Sequence, residues 1–149
     1  MWKSVLLLSS VIALSACNHH PTTYKTAGES GSAAAVTAQG FTGEQLRLIG
    51  RFDTSTQGKA QFTWPGSAVE FRFSGTSASI ALGSTGDVRF QVDVDGAVQD
   101  LWVKNGEATY TLASGLTKGE HTVRLTRLTE SFALVTSLLG DPIVDGTLL

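Results

Sequence analysis

The imidazole and carboxylates that might do chemistry in this 149-residue chain are few and scattered. A Ser-His-Asp hydrolase needs an imidazole to take the nucleophile's proton and a carboxylate to orient it. Past the first forty residues the sequence offers one imidazole, His121, in "GEHTVRL". His121 shares the strand parity of Val123 and Leu125, which reads as a partly buried residue at a strand start, capping its own turn. No G-x-S-x-G elbow exposes a serine, no glycine-rich loop would cradle phosphate, and no Cys/His spacing suits a metal. Asp93 and Asp95 in "DVDG" look like the opening of a calcium loop, but its later ligands and closing Glu are missing, and a hairpin turn accounts for them. Nothing nominates a carboxylate pair for glycoside cleavage. The residues imply no catalytic set, no metal and no cofactor in this chain.

The amino terminus places the protein. "MWKSVLLLSSVIALSAC" has one Lys, an apolar core from Val5 to Leu14 and small residues before Cys17. That core of about ten residues is half of what a membrane span needs. Residues 1–16 read as a lipoprotein signal peptide and Cys17 as the lipid attachment point. Cys17 is the only cysteine, so no internal disulfide forms in the exported chain. Residues 17–40 are small and polar, a flexible tether spanning roughly 25–30 Å. His19 and His20 fall in it and lack a third ligand at fixed spacing, so they read as polar linker. The expected location is the bacterial envelope, periplasmic or cell-surface, anchored to a membrane through lipid.

Residues 41–149 form the remaining domain, long enough to enclose a core unaided. With 11 basic and 13 acidic residues and no basic stripe, a nucleic-acid partner is not expected. The pattern is β throughout. Val69, Phe71 and Phe73 alternate with Ala68, Glu70 and Arg72, and Val88, Phe90, Val92 and Val94 alternate with polar residues. Such alternation marks antiparallel strands with one packed and one solvated face. "DG" at Asp95–Gly96, followed by "VQDLWV", signals a hairpin. "QLRLIG", "AQFTW", "SASIAL", "ATYTL", "HTVRLTRLT" and "FALVTSLL" supply further strands, about nine in all, as in an antiparallel β-sandwich or jelly roll. Val69, Phe71, Phe73, Ile80 and Leu82 are the expected core.

"GRFDTSTQGKAQFTWPGSAVEFRFSGTS", "FQVDVDG", "TYTLASGLTKGEHTVRLTRLTES" and "LLGD", in this order, resemble the N-terminal jelly-roll domain of carbohydrate esterase family 2. That family comprises acetylxylan esterases and related deacetylases, and its N-terminal domain is similar in fold to carbohydrate-binding modules. The resemblance implies a following SGNH-type hydrolase domain that carries the serine nucleophile and base histidine. No position here matches those residues: Pro142 in "GDP" stands where the serine would be, and no histidine follows Asp145. The sequence departs from the family pattern after Glu130, reading "SFALVTSLLGD" with Asp141 where an aromatic is expected.

What the resemblance implies is an accessory domain without catalytic residues, partnered by the absent SGNH domain and by acetylated xylan or glucomannan. A free-standing glycan-binding lipoprotein and a purely structural envelope lipoprotein are the other readings. The candidate ligand residues are Trp64, Trp102, Arg127 and Glu130. Trp64 and Trp102 suit either a sugar-stacking platform or packing. Arg127 and Glu130 suit either substrate contact or a buried or seam ion pair.

Overall fold

The computed structural model describes residues 41–130 and 133–149, so the stretches expected to be a signal peptide and a tether, with Cys17, His19 and His20, lie outside the described residues. Eleven strands run among the described residues: β1 (Leu46–Ile49), β2 (Ala60–Phe62), β3 (Ala68–Gly75), β4 (Ala78–Ser84), β5 (Val88–Val94), β6 (Ala97–Val103), β7 (Gly106–Ala113), β8 (Gly119–Arg127), β9 (Thr136–Leu138), β10 (Ile143–Val144) and β11 (Thr147–Leu148). Every pairing is antiparallel. One sheet has the order β1-β3-β8-β5-β6, and β11 continues the β3 edge beyond β1. The other is built on β4, with β7 along one edge and β9 and β10 end to end along the other; β2 pairs with the far side of β9.

The alternation in the sequence becomes the two faces of the first sheet. Val69, Phe71 and Phe73 of β3, Val88, Phe90 and Val92 of β5, and Val123 and Leu125 of β8 point inward and are buried. They meet Ile80, Leu82, Leu112, Leu138 and Phe62 of the second sheet in one core. This is an all-β antiparallel sandwich of the jelly-roll type. The five expected core residues are all within it. On the outer face, Arg47 and Arg124 flank Glu70, and Arg72 meets Glu120 at 2.6 Å. These exposed pairs hold the face in solvent and add little stability each.

Asp95 and Gly96 both have positive φ, 53° and 87°, so the β5–β6 connection is the two-residue turn expected from "DG". The Asp93 carboxylate accepts from Gly96 N at 2.7 Å and closes it. One expectation is corrected. "FALVTSLL" gives only the three-residue β9, because the chain before Thr136 turns across the sandwich end. "PIVDGTLL", where no element is expected from the sequence, forms β10 and β11.

Candidate functional site

One end of the sandwich gathers the sequence-predicted residues. Trp64, Pro65, Gly66 and Ser67 form a turn closed by Ser67 N donating to the Trp64 carbonyl at 3.3 Å. Pro65 presets the first corner residue and Gly66, at φ 79°, takes the second, which fixes where Trp64 sits. This turn leads into β3 and pairs with the end of β8: Gly66 N donates to the Arg127 carbonyl and Arg127 N to the Ser67 carbonyl, each at 2.9 Å. The next strand over is β5, where Leu128 N donates to the Arg89 carbonyl and Arg89 N to the Thr129 hydroxyl. The last is β6, where Trp102 lies directly opposite Arg89. The Trp64 turn and Trp102 are thus three strand spacings apart, about 14 Å between backbones.

Both tryptophans are open to solvent, Trp64 at 52% and Trp102 at 54%. Trp102 follows the outward parity of Val98 and Asp100, which puts it on the solvated face of the first sheet. Arg89 Nη2 donates to Asp100 Oδ2 at 2.8 Å on the same face, and both side chains are about half exposed. Glu130 is exposed immediately after Thr129. Arg89, Asp100 and Thr129 were not singled out in the sequence, although a signal existed. The "DG" turn fixes the hairpin register, and counting back from it sets Arg89 against Trp102.

Arg127 belongs to the same end but points the other way. It is fully buried, on the inward parity of Val123 and Leu125. Its guanidinium crosses to the second sheet, donating to the Thr136 hydroxyl at 2.6 Å and the Leu134 carbonyl at 2.8 Å. Burial pushes its pKa down from the usual arginine value. Arg127 therefore supports the rim from beneath, while Glu130 stands on its surface.

Away from this rim, His121, Asp141 and Asp145 are occupied structurally. His121 is 8% exposed. Its Nδ1 faces Asp95 Oδ2 at 2.6 Å and its Nε2 faces the Thr117 carbonyl at 2.8 Å. Both neighbours are acceptors, so the ring can donate to both at once only as the imidazolium. The bond to Asp95 and the Thr117 carbonyl raise the imidazole pKa. A ring so held has both nitrogens engaged within the fold and is only 8% exposed. The turn cap expected of His121 is present in the Thr117 contact; Asp95 adds a tie to the β5–β6 turn. Asp145 receives Thr76 N, the Thr76 hydroxyl and Ser77 N, which hold its pKa down to about 2. Asp141 receives Thr42 N, the Thr42 hydroxyl and Gly43 N. Among the described residues no three His, Cys, Asp or Glu side chains converge as metal ligands.

The chain matches the family model for the carbohydrate esterase 2 N-terminal domain over residues 48–149. The chain belongs to that family. Cellulase/esterase CelE of Acetivibrio thermocellus is 38% identical over 101 residues, 67% of this chain. A family two carbohydrate esterase from Clostridium thermocellum, solved in complex with cellohexaose, is 35% identical over 70% of this chain, with a TM-score of 0.66. An acetyl xylan esterase from the rumen bacterium Butyrivibrio proteoclasticus shares the fold, at a TM-score of 0.62 and 18% identity. This chain spans 12% of CelE and 32% of the Clostridium thermocellum esterase chain. It corresponds to the N-terminal portion of carbohydrate esterase 2 proteins, a family of hydrolases.

Proposed function

We propose that this chain is the non-catalytic accessory part of an esterase that deacetylates a polysaccharide such as acetylated xylan or glucomannan. It stands beside an SGNH-type hydrolase domain, supports that domain's active site and contacts the substrate. Serine acyl transfer belongs to the hydrolase domain. The observation that carries this reading is the state of His121 within the family's N-terminal sandwich: both its nitrogens are spent on acceptors. In the same reading, Cys17 carries lipid and holds the protein in the bacterial envelope.

The test measures acetate released from acetylated xylan by the full chain, by a separately produced family two hydrolase domain, and by the two together. The chain alone releases none, and its addition raises the hydrolase rate. Acetate release by the purified chain alone, or no effect on the hydrolase, overturns the proposal. Lipid on Cys17 is read from the intact mass of protein from native cells and disappears in Cys17→Ser.

A second reading is favoured by the exposure of Trp64 and Trp102: a free-standing surface lipoprotein that binds glycan without cleaving it. It predicts glycan affinity together with no effect on any hydrolase.

A further inference from the structure

We infer that the rim carrying Trp64 and Trp102 is a binding platform for an extended neutral polysaccharide, with Arg89, Asp100 and Thr129 as its polar floor. The substrate class rests on the accessory-domain reading; the position of the site rests on the geometry alone. Tryptophan is highly buried on average, yet both tryptophans of the described residues are more than half exposed. Neither exposure is a loose end. Trp64 is set by a Pro-Gly turn locked to β8, and Trp102 by the β5–β6 ladder.

The groups between them are of the kind a sugar needs. A pyranose presents an apolar C–H face to an indole and a belt of hydroxyls that both donate and accept. The Arg89–Asp100 pair lies half open, so N–H groups and carboxylate lone pairs still face outward. The Thr129 hydroxyl already accepts from Arg89 N, which leaves its own proton to donate. Glu130 adds an acceptor at the edge. Two aromatics carried on backbone about 14 Å apart suit a chain that touches both, rather than a single small molecule.

A protein partner fits less well. The core of a protein interface is contiguous, apolar and depleted of charge, whereas here the exposed Arg89–Asp100 ion pair lies beside Trp102. The buried Arg127, bonded to Thr136 and Leu134, holds the end of β8 to the second sheet and fixes the floor before ligand arrives. Binding therefore pays little ordering cost at the rim.

The experiment is affinity electrophoresis of the full chain through gels containing acetylated xylan or glucomannan, with indole fluorescence read in parallel. Trp102→Ala lowers affinity about tenfold or more, as loss of an aromatic anchor does. Trp64→Ala lowers it less, and the double variant abolishes retardation while keeping the wild-type melting temperature. Ile143→Ala removes a side chain of similar exposure (57%) on the other sheet and leaves binding unchanged. Absence of wild-type retardation overturns the platform, as does undiminished retardation of the double variant. Should the double variant keep its glycan affinity but stop stimulating the hydrolase, the rim is a domain seam and the platform is overturned while the accessory reading stands. Glycan binding through the two tryptophans without hydrolase stimulation gives the reverse: the platform stands and the accessory reading falls.

Discussion

At the scale of single residues, His121 shows how a side chain with catalytic potential becomes a clasp. It joins the loop before β8, through Thr117, to the β5–β6 turn, through Asp95, and it packs on the Phe73 ring at a centroid distance of 5.4 Å. Asp95 is the charged group facing it. Because its folded pKa is raised above the ordinary 6.5, the stability it adds is complete below that value and is lost as pH rises through the folded pKa. Asp145 works in the opposite direction. Its pKa of about 2, against an ordinary 3.8, gives stability that is present above about pH 4 and lost as pH falls toward 2. The melting temperature should therefore form a plateau with an alkaline shoulder set by His121. Thermal melts from about pH 5 to 9 will show that shoulder flattened in His121→Gln and in Asp95→Asn. An unchanged profile in both variants would remove the clasp from the account.

Arg127 supplies the second prediction at this scale. Arg127→Ala leaves a cavity and two acceptors without their donor, and should cost about 3 kcal/mol. Arg127→Met fills the volume and removes a buried charge, a change often tolerated, so it should cost clearly less. Urea titrations of both variants separate the packing role from the hydrogen-bonding one.

At the scale of elements, the C-terminal β10–β11 segment, whose two strands join different sheets, depends on contacts rather than on its own pattern. Asp145 at its turn binds Thr76 and Ser77 of the β3–β4 connection, and Gly146 lies against the Ser74 carbonyl. A Cβ at Gly146 would overlap that backbone oxygen, and the backbone there has no flexible side chain to move aside. Gly146→Ala should undock this C-terminal segment at a cost of more than about 1 kcal/mol. Limited proteolysis should then cut between Asp141 and Leu149 well before the core opens. β9 is short for a related reason. Arg127 takes the Leu134 carbonyl, and the Leu134 side chain lies against Gly86, so the chain crosses the sandwich end before it can join β4.

For the whole molecule, the two sheets share one apolar interior, so a lesion in it should be felt throughout. Phe73 is fully buried in β3, against Phe71 and His121. Phe73→Ala should lower stability by about 3–5 kcal/mol. The single urea transition should shift as a unit, with tryptophan fluorescence and far-UV circular dichroism coincident. Separate transitions for the rim and the body would contradict a common core.

The sequence by itself determined the sandwich class, the five core residues taken from the alternation, the "DG" hairpin with its register, and membership in an esterase family whose catalytic residues have no counterpart here. The family membership rests on the order of several motifs, whereas the class, core and hairpin follow from period-two burial and from backbone conformations that only certain residues adopt, both of which are local. The tertiary structure decided what the local pattern leaves open. Parity sent Arg127 inward, but only the second sheet could supply Thr136 and Leu134 as its partners. Spacing gave Trp64 and Trp102 no relation to each other; the β3-β8-β5-β6 order set them on one rim. Asp95 and His121 are 26 residues apart in the chain, and Thr76 and Asp145 are 69 apart. Pairings of that length depend on strand order, which the alternation of a single strand does not encode.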